Sequence, residues 1–309
     1  MKILITGGAG FIGSHIVDKL IQNNYEVVVV DNLSSGALGN LPSHRNLKFY
    51  KNDILIDDLT SIFENEQPEF CIHLVSQTSV IKSIENPIND AELNIVATLK
   101  LIDLCKKYEI KKFIIASSAA VYGQPKYLPV DENHPCEPIS NYGLSKLTME
   151  KYVQLSNLPY IIFRFANVYG PRQASSKESG VVSIFNDCML KNAPINIYGD
   201  GTQIRDFVYV EDIAEACVTA LENEQLINQV LNISTQQGIS VNELFELMKK
   251  TYNYQLNANY LPQRDGDIKD SILSNKKAIE LISNYKSTSI NDGVKKLREY
   301  YLQKGEIYA

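Results

Sequence analysis

Cysteine and histidine are scarce in this chain, and neither is grouped in a way that builds a site. Among 309 residues there are five cysteines, an odd number, and no two of them form a Cys-x-x-Cys pair. The four histidines stand far apart along the chain. Disulfide frameworks and metal sites need paired or clustered ligands, so the sequence predicts neither.

Basic charge and long apolar runs are also lacking. The formal net charge is -6, whereas proteins that bind nucleic acids usually present a basic face. No apolar run approaches the ~20 residues of a membrane span. Glycines interrupt the short apolar stretch at the N-terminus, which is unlike a signal peptide. We therefore expect a soluble, cytoplasmic protein with neither nucleic acid nor a membrane as partner.

Short apolar runs alternate with helical patterns through the first half of the chain. The runs are nearly continuous in valine and isoleucine, as in "EVVVVD" at 26–31, which indicates strands buried on both faces and hence a parallel sheet. Strands alternating with helices predict a doubly wound α/β fold. The predicted strands are 2–6, 26–31, 47–53, 70–75, 112–117 and 160–165, and the predicted helices are 11–23, 56–64, 91–108, 140–156, 241–252 and 274–282.

A glycine-rich loop, "TGGAGFIG", follows the first predicted strand and opens the first predicted helix. Gly8, Gly10 and Gly13 fit Gly-x-Gly-x-x-Gly, and Gly7 with Gly10 and Gly13 fits Gly-x-x-Gly-x-x-Gly equally well. Glycines allow a tight turn and the close approach of a pyrophosphate, to which the helix N-terminus offers free N–H groups. Asp31 ends the second predicted strand, where its carboxylate can bind an adenosine ribose and disfavours a 2'-phosphate. The loop therefore predicts NAD over NADP.

The sequence pattern changes after residue 166, where glycine, proline and polar residues become frequent. We expect residues 1–166 to form an NAD-binding domain and residues 167–309 to form a smaller α/β lobe that binds the substrate. The run "VLNIS" at 230–234 is typical of one more strand of the main sheet. A segment at about 207–235 is therefore expected to pack back onto the first domain.

The segment "NYGLSK" places Tyr142 and Lys146 four residues apart at the start of a predicted helix, so both lie on one face. A free tyrosine has a pKa near ~10. A nearby ammonium stabilises the phenolate and lowers that pKa, and the positive charge of a nicotinamide would add to this effect. The pair suits proton transfer in a carbinol–ketone exchange, and a serine bonding the same oxygen would complete the set.

Six motifs, taken together and in order, resemble those of the extended short-chain dehydrogenase/reductase family, which includes the NAD-dependent epimerases and dehydratases. They are "TGGAGFIGS", "DNLSSG", "SSAAVYG", "YGLSK", "NVYGPR" and "GDGTQIRDFVYV". The likeness runs to about residue 282 and is closest to the UDP-sugar 4-epimerases that act on UDP-glucose or UDP-N-acetylglucosamine. It implies a Rossmann domain that holds NAD tightly, a Ser-Tyr-Lys set, and a C-terminal lobe for the nucleotide sugar.

The resemblance also assigns roles to individual residues. Val75 and Ser76 depart from the family, which usually has two alanines there, so contacts near the nicotinamide are expected to differ. The positions that match cofactor-binding residues are Gly7, Gly10, Phe11, Ile12, Asp31, Asn32, Ser35, Gly36, Asp53, Ile54, Asn94, Ser117, Tyr142 and Lys146. The catalytic set is Ser118, Tyr142 and Lys146, and the substrate-binding positions are Ser118, Tyr142, Asn167, Arg205, Arg264, Asp267 and Ser271.

Two alanines, Ala119 and Ala120, bear on the type of reaction. Related 4,6-dehydratases and decarboxylases usually carry a glutamate just before the Val-Tyr-Gly segment, and alanine cannot move a proton. The resemblance then implies 4-epimerisation of a UDP-hexose. Tyr142 takes the proton of the 4-hydroxyl, NAD takes hydride from C4, and hydride returns to the other face of the 4-keto sugar.

The choice of sugar is expected to depend on Ser271. In epimerases a bulky tyrosine at the matching position restricts the enzyme to plain hexoses, whereas serine leaves room for a 2-acetamido group. We expect UDP-N-acetylglucosamine and UDP-N-acetylgalactosamine to be accepted, besides or instead of UDP-glucose and UDP-galactose. The competing interpretation is that Ser271 is a residue on a surface helix.

Two other functions stay open at this point. One is 4-epimerisation of a UDP-uronic acid, or another nucleotide-sugar oxidoreductase reaction of the same family. The other is a non-enzymatic NAD-binding sensor, which would have no need of Ser118, Tyr142 and Lys146 together. The family also suggests a homodimer in which the helices near 91–108 and 140–156 pair with their symmetry mates.

Overall fold

The computed structural model describes residues 1–174, 180–263 and 268–305. Strands alternate with helices through the first half of the chain, as predicted. The elements there are β1 (Lys2–Thr6), α1 (Phe11–Gln22), β2 (Glu26–Val30), β3 (Leu47–Tyr50), α2 (Thr60–Glu66), β4 (Phe70–His73), α3 (Val80–Glu85), α4 (Pro87–Ala91), α5 (Ala97–Lys107), β5 (Lys112–Ser118), α6 (Asn141–Leu155) and β6 (Tyr160–Phe165).

The second half mixes short strands with helices. No helix in the described part of the chain combines the length and the apolar character needed to cross a bilayer. The elements are β7 (Asn167–Tyr169), α7 (Val181–Leu190), β8 (Asn196–Tyr198), β9 (Ile204–Tyr209), α8 (Val210–Glu222), β10 (Gln229–Ile233), β11 (Gly238–Ser240), α9 (Val241–Tyr252), β12 (Asn259–Leu261), β13 (Asp270–Ser271), α10 (Lys276–Leu281) and α11 (Ile290–Gln303).

Seven strands form one parallel sheet in the order β3-β2-β1-β4-β5-β6-β10. Side chains of β1 alternate between two hydrophobic cores: Ile3 and Ile5 pack on one face with α1 and α8, and Leu4 packs on the other with α2 and α5. Because helices cover both faces, the strands are apolar on both sides. This sheet confirms the predicted doubly wound α/β fold.

The strand order reverses between β1 and β4. The chain runs outward from β1 to β2 and β3, then returns to β4 and builds outward on the other side. Loops at the carboxyl ends of β1 and β4 therefore diverge and leave a crevice, where doubly wound folds bind ligands. We call this side of the sheet the carboxyl edge.

β10 confirms the extra strand predicted at 230–234. It pairs in parallel with β6, with Leu231 beside Phe163, and α8, which precedes it, packs against α1. The rest of the second half builds its own small sheets, β11-β9-β13 with β7, and β12-β8. Their core includes Phe185, Phe207 and Phe245.

Two predicted helices differ from the structure. The helix predicted at 91–108 begins with a π-helical turn at Glu92–Val96, and only then becomes α5. Such turns insert one extra residue and often mark functional sites, and this one carries Asn94. The helix predicted at 56–64 starts later, at Thr60, because residues 53–58 form turns in which Asp53 and Asp58 accept backbone hydrogen bonds.

Candidate active site

The glycine-rich loop between β1 and α1 approaches its neighbours so closely that side chains would not fit. Gly7 has φ +74°, and a Cβ on Gly13 would lie 2.2 Å from the Gly7 carbonyl oxygen. A Cβ on Gly36 would lie 2.8 Å from the Ala9 carbonyl oxygen. Gly10 caps α1 without a side chain, so the N–H groups of the first turn, which holds Phe11 and Ile12, stay open to an anion. The loop forms a cradle with room for a pyrophosphate.

Asp31 directly follows β2 and ties the glycine-rich loop to the second strand. One carboxylate oxygen accepts a hydrogen bond from Ala9 N at 3.0 Å and the other accepts one from Leu33 N at 2.8 Å. Each oxygen can accept a second bond, so Asp31 fits the predicted contact with a ribose. Asn40, which the sequence did not single out, donates to Ala9 O at 2.9 Å and supports the same loop.

The remaining predicted residues near an adenosine lie at the ends of the next strands. Asn32 follows β2 and donates to the Asp53 carboxylate, which follows β3, at 2.8 Å. Ile54 is buried beside them and Ser35 is exposed. The fold therefore brings these four residues to the carboxyl edge, although they lie in separate segments of the sequence.

Asn94 is fully buried in the π-helical turn, where its amide joins several segments. Its oxygen accepts from Ser76 Oγ at 2.7 Å and from Gln77 N at 2.9 Å, and its nitrogen donates to Ser145 Oγ at 2.9 Å. Ser145 lies in α6, between Tyr142 and Lys146. The Ser76 hydroxyl, where the family usually has alanine, thus supports Asn94 directly.

The start of α6 is fixed by its cap and by one close approach. Ser140 caps the helix by accepting from Gly143 N at 3.1 Å. A Cβ on Gly143 would lie 2.5 Å from the Ala120 carbonyl oxygen. Because Gly143 has no side chain, the first turn of α6 rests on the short 3-10 turn at Ala119–Tyr122 that ends β5. Tyr142 is thereby placed over the end of β5.

Ser118, Tyr142 and Lys146 come together at the carboxyl edge. The Ser118 hydroxyl accepts from Ala120 N at 3.2 Å and is close enough to the Tyr142 phenol to act on its pKa. Lys146 is buried, donates to Ala116 O at 2.9 Å, and its Nζ lies 5.9 Å from the centre of the Tyr142 ring. This is the arrangement that the sequence predicted for proton transfer.

The pKa of Tyr142 departs from the sequence expectation. Burial raises the pKa of this phenol, the Ser118 hydrogen bond lowers it, and the charge of Asp90 raises it again. Desolvation is the largest of these effects, because burial disfavours the charged phenolate, and Lys146 is not among the groups that shift this pKa. Burial likewise lowers the pKa of Lys146 to about 8, although the charges of Asp90 and Glu150 oppose this change.

Ser117 forms a hydrogen bond to a buried ion pair. Its hydroxyl donates to Glu150 of α6, and the same carboxylate is bound by Arg164 of β6 at 3.0 and 2.6 Å. Its predicted contact with the cofactor stays a prediction. Sequence reasoning missed Glu150, although it extends the spacing of Tyr142 and Lys146 by one more helical turn.

Several predicted substrate residues gather around β9. Asn167 donates to Asp206 O at 3.1 Å, and Arg205 donates to Lys269 O at 2.9 Å. Ser271 lies in β13, beside Arg205 in register. It is a strand residue, so the competing interpretation of a surface helix is wrong.

Two of the predicted substrate residues, Arg264 and Asp267, lie outside the described residues. Within the described ranges, no group of three or more His, Cys, Asp or Glu side chains is arranged to hold a metal ion.

Comparison with known proteins gives consistent matches. Residues 3–234 match the NAD dependent epimerase/dehydratase family. The putative UDP-glucose 4-epimerase of Methanocaldococcus jannaschii is 45% identical over 300 residues, 96% of each chain. The UDP-glucose 4-epimerase of Thermotoga maritima, solved with UDP-glucose, has a TM-score of 0.94 at 43% identity and covers 98% of this chain and 99% of its own.

A third relative was solved with a different ligand. It is the UDP-N-acetylglucosamine 4-epimerase of Methanobrevibacter ruminantium M1, in complex with UDP-N-acetylmuramic acid. Its TM-score is 0.91 at 35% identity, and the match covers 98% of both chains. These matches confirm the resemblance read from the motifs and the expectation of an enzyme that uses NAD: the chain belongs to the NAD dependent epimerase/dehydratase family.

Proposed function

We propose that this protein interconverts the 4-epimers of a UDP-sugar. The observation that carries the proposal is the meeting of Ser118, Tyr142 and Lys146 at the carboxyl edge, on the same edge as the glycine-rich cradle. The similarity to the UDP-glucose and UDP-N-acetylglucosamine 4-epimerases supports the same reaction class.

The cradle and its neighbours fit NAD. The glycine-rich loop would hold the pyrophosphate, Asp31 and Asn32 would hold the adenosine side, and Tyr142 and Lys146 would lie near the nicotinamide. When bound, NAD supplies reversible oxidation at the sugar carbon, and its positive ring favours the phenolate of Tyr142.

The protein's own groups move the proton. The Tyr142 phenol oxygen accepts the proton of the 4-hydroxyl and returns it after the sugar has turned, while the Ser118 hydroxyl hydrogen-bonds the same sugar oxygen. Lys146 stabilises the phenolate by its charge. Ala119 and Ala120 line the turn after Ser118 and carry no acid, so elimination of water has no proton donor there.

We propose a division of roles within the chain. Residues 1–166, joined by about 207–235, hold NAD, and residues 167–309 otherwise hold the nucleotide sugar. Arg205, Arg264 and Asn167 are assigned to the diphosphate and Asp267 to the uridine ribose. Arginine suits phosphate because its guanidinium pairs two oxygens at once.

For the sugar itself, we propose that UDP-N-acetylglucosamine and UDP-N-acetylgalactosamine are substrates. Ser271 supports this choice because it is half-buried and small, next to Arg205.

The purified enzyme should be incubated with plain, acetylated and uronic UDP-sugars, and the anomeric region of the spectrum should be followed by NMR. We expect a new 4-epimer of the acetylated sugars without stoichiometric NADH. No change with any UDP-sugar would contradict the proposed function, and turnover of the uronic acid alone would replace the proposed substrate.

The variant Ser271→Tyr tests the residue proposed to admit the acetamido group. A phenol at this position fills the space beside the sugar, so turnover of the acetylated sugars should fall by roughly 10-fold or more while that of plain hexoses changes little. The readout is the ratio of kcat/KM for the two sugar types. An equal loss for both would count against this role of Ser271.

We also propose a homodimer in which α5 and α6 pair with their symmetry mates. The surface of α6 and its neighbours carries several exposed apolar side chains, and a two-fold contact would cover them. They include Ile84, Ile88, Val96, Leu144, Tyr152 and Leu155.

A further inference from the structure

Asp90, at the end of α4, is a buried carboxylate. Its side chain is 1% exposed, and one oxygen accepts from Gln77 Nε2 at 3.0 Å and from Asn94 Nδ2 at 3.1 Å. In the described ranges no Lys, Arg or His forms an ion pair with it. Burying a carboxylate without a counter-ion is costly, so a nearby positive charge is needed to balance it.

Lys146 is a buried cation on which the charge of Asp90 acts. Two carboxylates act on the Lys146 ammonium, namely Asp90 and Glu150. Glu150 is already bound by Arg164 through two hydrogen bonds, so its charge is largely neutralised. Asp90 is therefore the anion left to balance Lys146 inside the protein.

Hydrogen bonds also connect Asp90 to the helix that carries the reactive pair. Asn94 Nδ2, which donates to Asp90, also donates to Ser145 Oγ at 2.9 Å. The Ser145 hydroxyl in turn donates to the Tyr142 carbonyl oxygen at 3.0 Å. Asp90 thus acts on the Tyr142–Lys146 pair through space and through two intervening side chains.

We propose that Asp90 is a positioning residue for the Tyr142–Lys146 pair: its buried carboxylate fixes Asn94 against α6 and places a negative charge near the pair. This inference rests on the proposed function for its meaning in catalysis. Its structural content, a buried carboxylate joined through Asn94 and Ser145 to the helix that carries the pair, stands on the hydrogen bonds alone.

The charges around the pair give the direction of the effect. Burial raises the pKa of Tyr142 and the charge of Asp90 raises it further. Burial lowers the pKa of Lys146, and Asp90 and then Glu150 oppose that change. His73 faces Lys146 from β4, but burial, followed by the charge of Lys146, lowers its pKa to about 3, so it stays neutral. Removing the charge of Asp90 should therefore lower the pKa of both Tyr142 and Lys146.

The test is Asp90→Asn in the NAD-loaded enzyme. Both limbs of the pH profile of kcat should move to lower pH, by about one pH unit each. Independently of activity, ultraviolet difference titration of each protein against its Tyr142→Phe counterpart isolates the Tyr142 phenolate. That transition should also move down by about one pH unit in Asp90→Asn. Asp103→Asn, which removes a carboxylate from an exposed position on α5, is the matched control and should leave both midpoints in place.

The outcomes separate a role in protonation from a role in folding. A uniform loss of kcat with unmoved midpoints would overturn the inference. If Asp90→Asn does not fold, Asp90→Ser, which leaves space for water, is measured in the same way, and misfolding of both variants would overturn it in favour of a structural role. If no UDP-sugar is turned over, the proposed function fails, while the absorbance titration still decides the role of Asp90.

Discussion

At the scale of single residues, Ser118 is proposed to act in catalysis and not in cofactor binding. Its hydroxyl acts on the pKa of the Tyr142 phenol, and it ends β5, outside the glycine-rich cradle. Ser118→Ala should therefore reduce kcat by roughly 100-fold, as expected for the loss of one hydrogen-bond donor at a reacting oxygen, and leave the amount of bound NAD unchanged. Turnover by NMR and NAD content by ultraviolet absorbance of the purified protein measure the two effects.

A control for Ser118→Ala is Ser287→Ala, an exposed serine far from the carboxyl edge. It should behave as the parent protein in both measurements. Unaltered turnover in Ser118→Ala would refute its role, and loss of NAD would assign Ser118 to cofactor binding instead.

Residue roles that depend on local motifs could be predicted from the sequence, and those that depend on distant partners could not. The Tyr142–Lys146 spacing and the glycine-rich loop are local, and the structure places both as predicted. Asp90 and Glu150 act through contacts between separate elements, such as the Arg164–Glu150 pair that joins β6 to α6. No spacing in the sequence reveals that Glu150 forms an ion pair with a basic side chain whereas Asp90, among the described residues, forms none.

At the scale of elements, the packing of α11 against β7 depends on one glycine and one phenol. Tyr169 of β7 is buried and its hydroxyl has no hydrogen-bond partner within the described ranges. A Cβ on Gly293 of α11 would lie 1.8 Å from that hydroxyl. Tyr169→Phe removes an unsatisfied polar group, so the free energy of unfolding should stay the same or rise by up to about 1 kcal/mol. Gly293→Ala should lower it by about 1–3 kcal/mol through overpacking.

The double variant Tyr169→Phe/Gly293→Ala distinguishes the contact between Gly293 and the Tyr169 hydroxyl from a general effect on α11. With the phenol oxygen gone, Gly293→Ala should cost at least about 1 kcal/mol less than it does in the parent protein. Chemical denaturation of all four proteins gives the coupling. Additive effects, or a large destabilisation by Tyr169→Phe alone, would show that the hydroxyl is not the obstacle.

Elements were predictable where hydrophobic periodicity is strong, as in α1 and α9. The π-helical turn at Glu92–Val96 was not predicted from the sequence. Hydrogen bonds of Asn94 to Gln77 and Ser145 accompany it, and these partners lie on other segments.

At the scale of the whole molecule, the apolar surface of α6 predicts association of two copies. In size-exclusion chromatography with light scattering, the parent protein should have a mass twice the 34.8 kDa of one chain. Leu155→Glu places a charge on a side chain that is 78% exposed and should shift the protein toward monomer, because burying an unpaired carboxylate at an interface is unfavourable.

Ile279→Glu is the matched control, since Ile279 is 56% exposed on α10, outside α5 and α6. It should leave the mass unchanged. A monomeric parent protein, or equal dissociation by both variants, would contradict the proposed dimer face.

Molecular architecture was the part best predicted from the sequence. Continuous Val/Ile runs predicted the parallel sheet, and the run at 230–234 correctly predicted one more strand of it. The sequence pattern did not show that Ser271 pairs with β9, because a two-residue strand is too short to carry an alternating pattern.

The return of β10 to the sheet also has a consequence for synthesis of the chain. The edge of β6 is complete only when β10 arrives, more than 60 residues later. A ribosome adds ~5–20 residues per second. The edge of β6 and the surface that α8 covers therefore stay exposed on the nascent chain for several seconds. Chaperone binding to stalled chains should therefore be strongest for arrest points after β6 and should fall once β10 has left the exit tunnel.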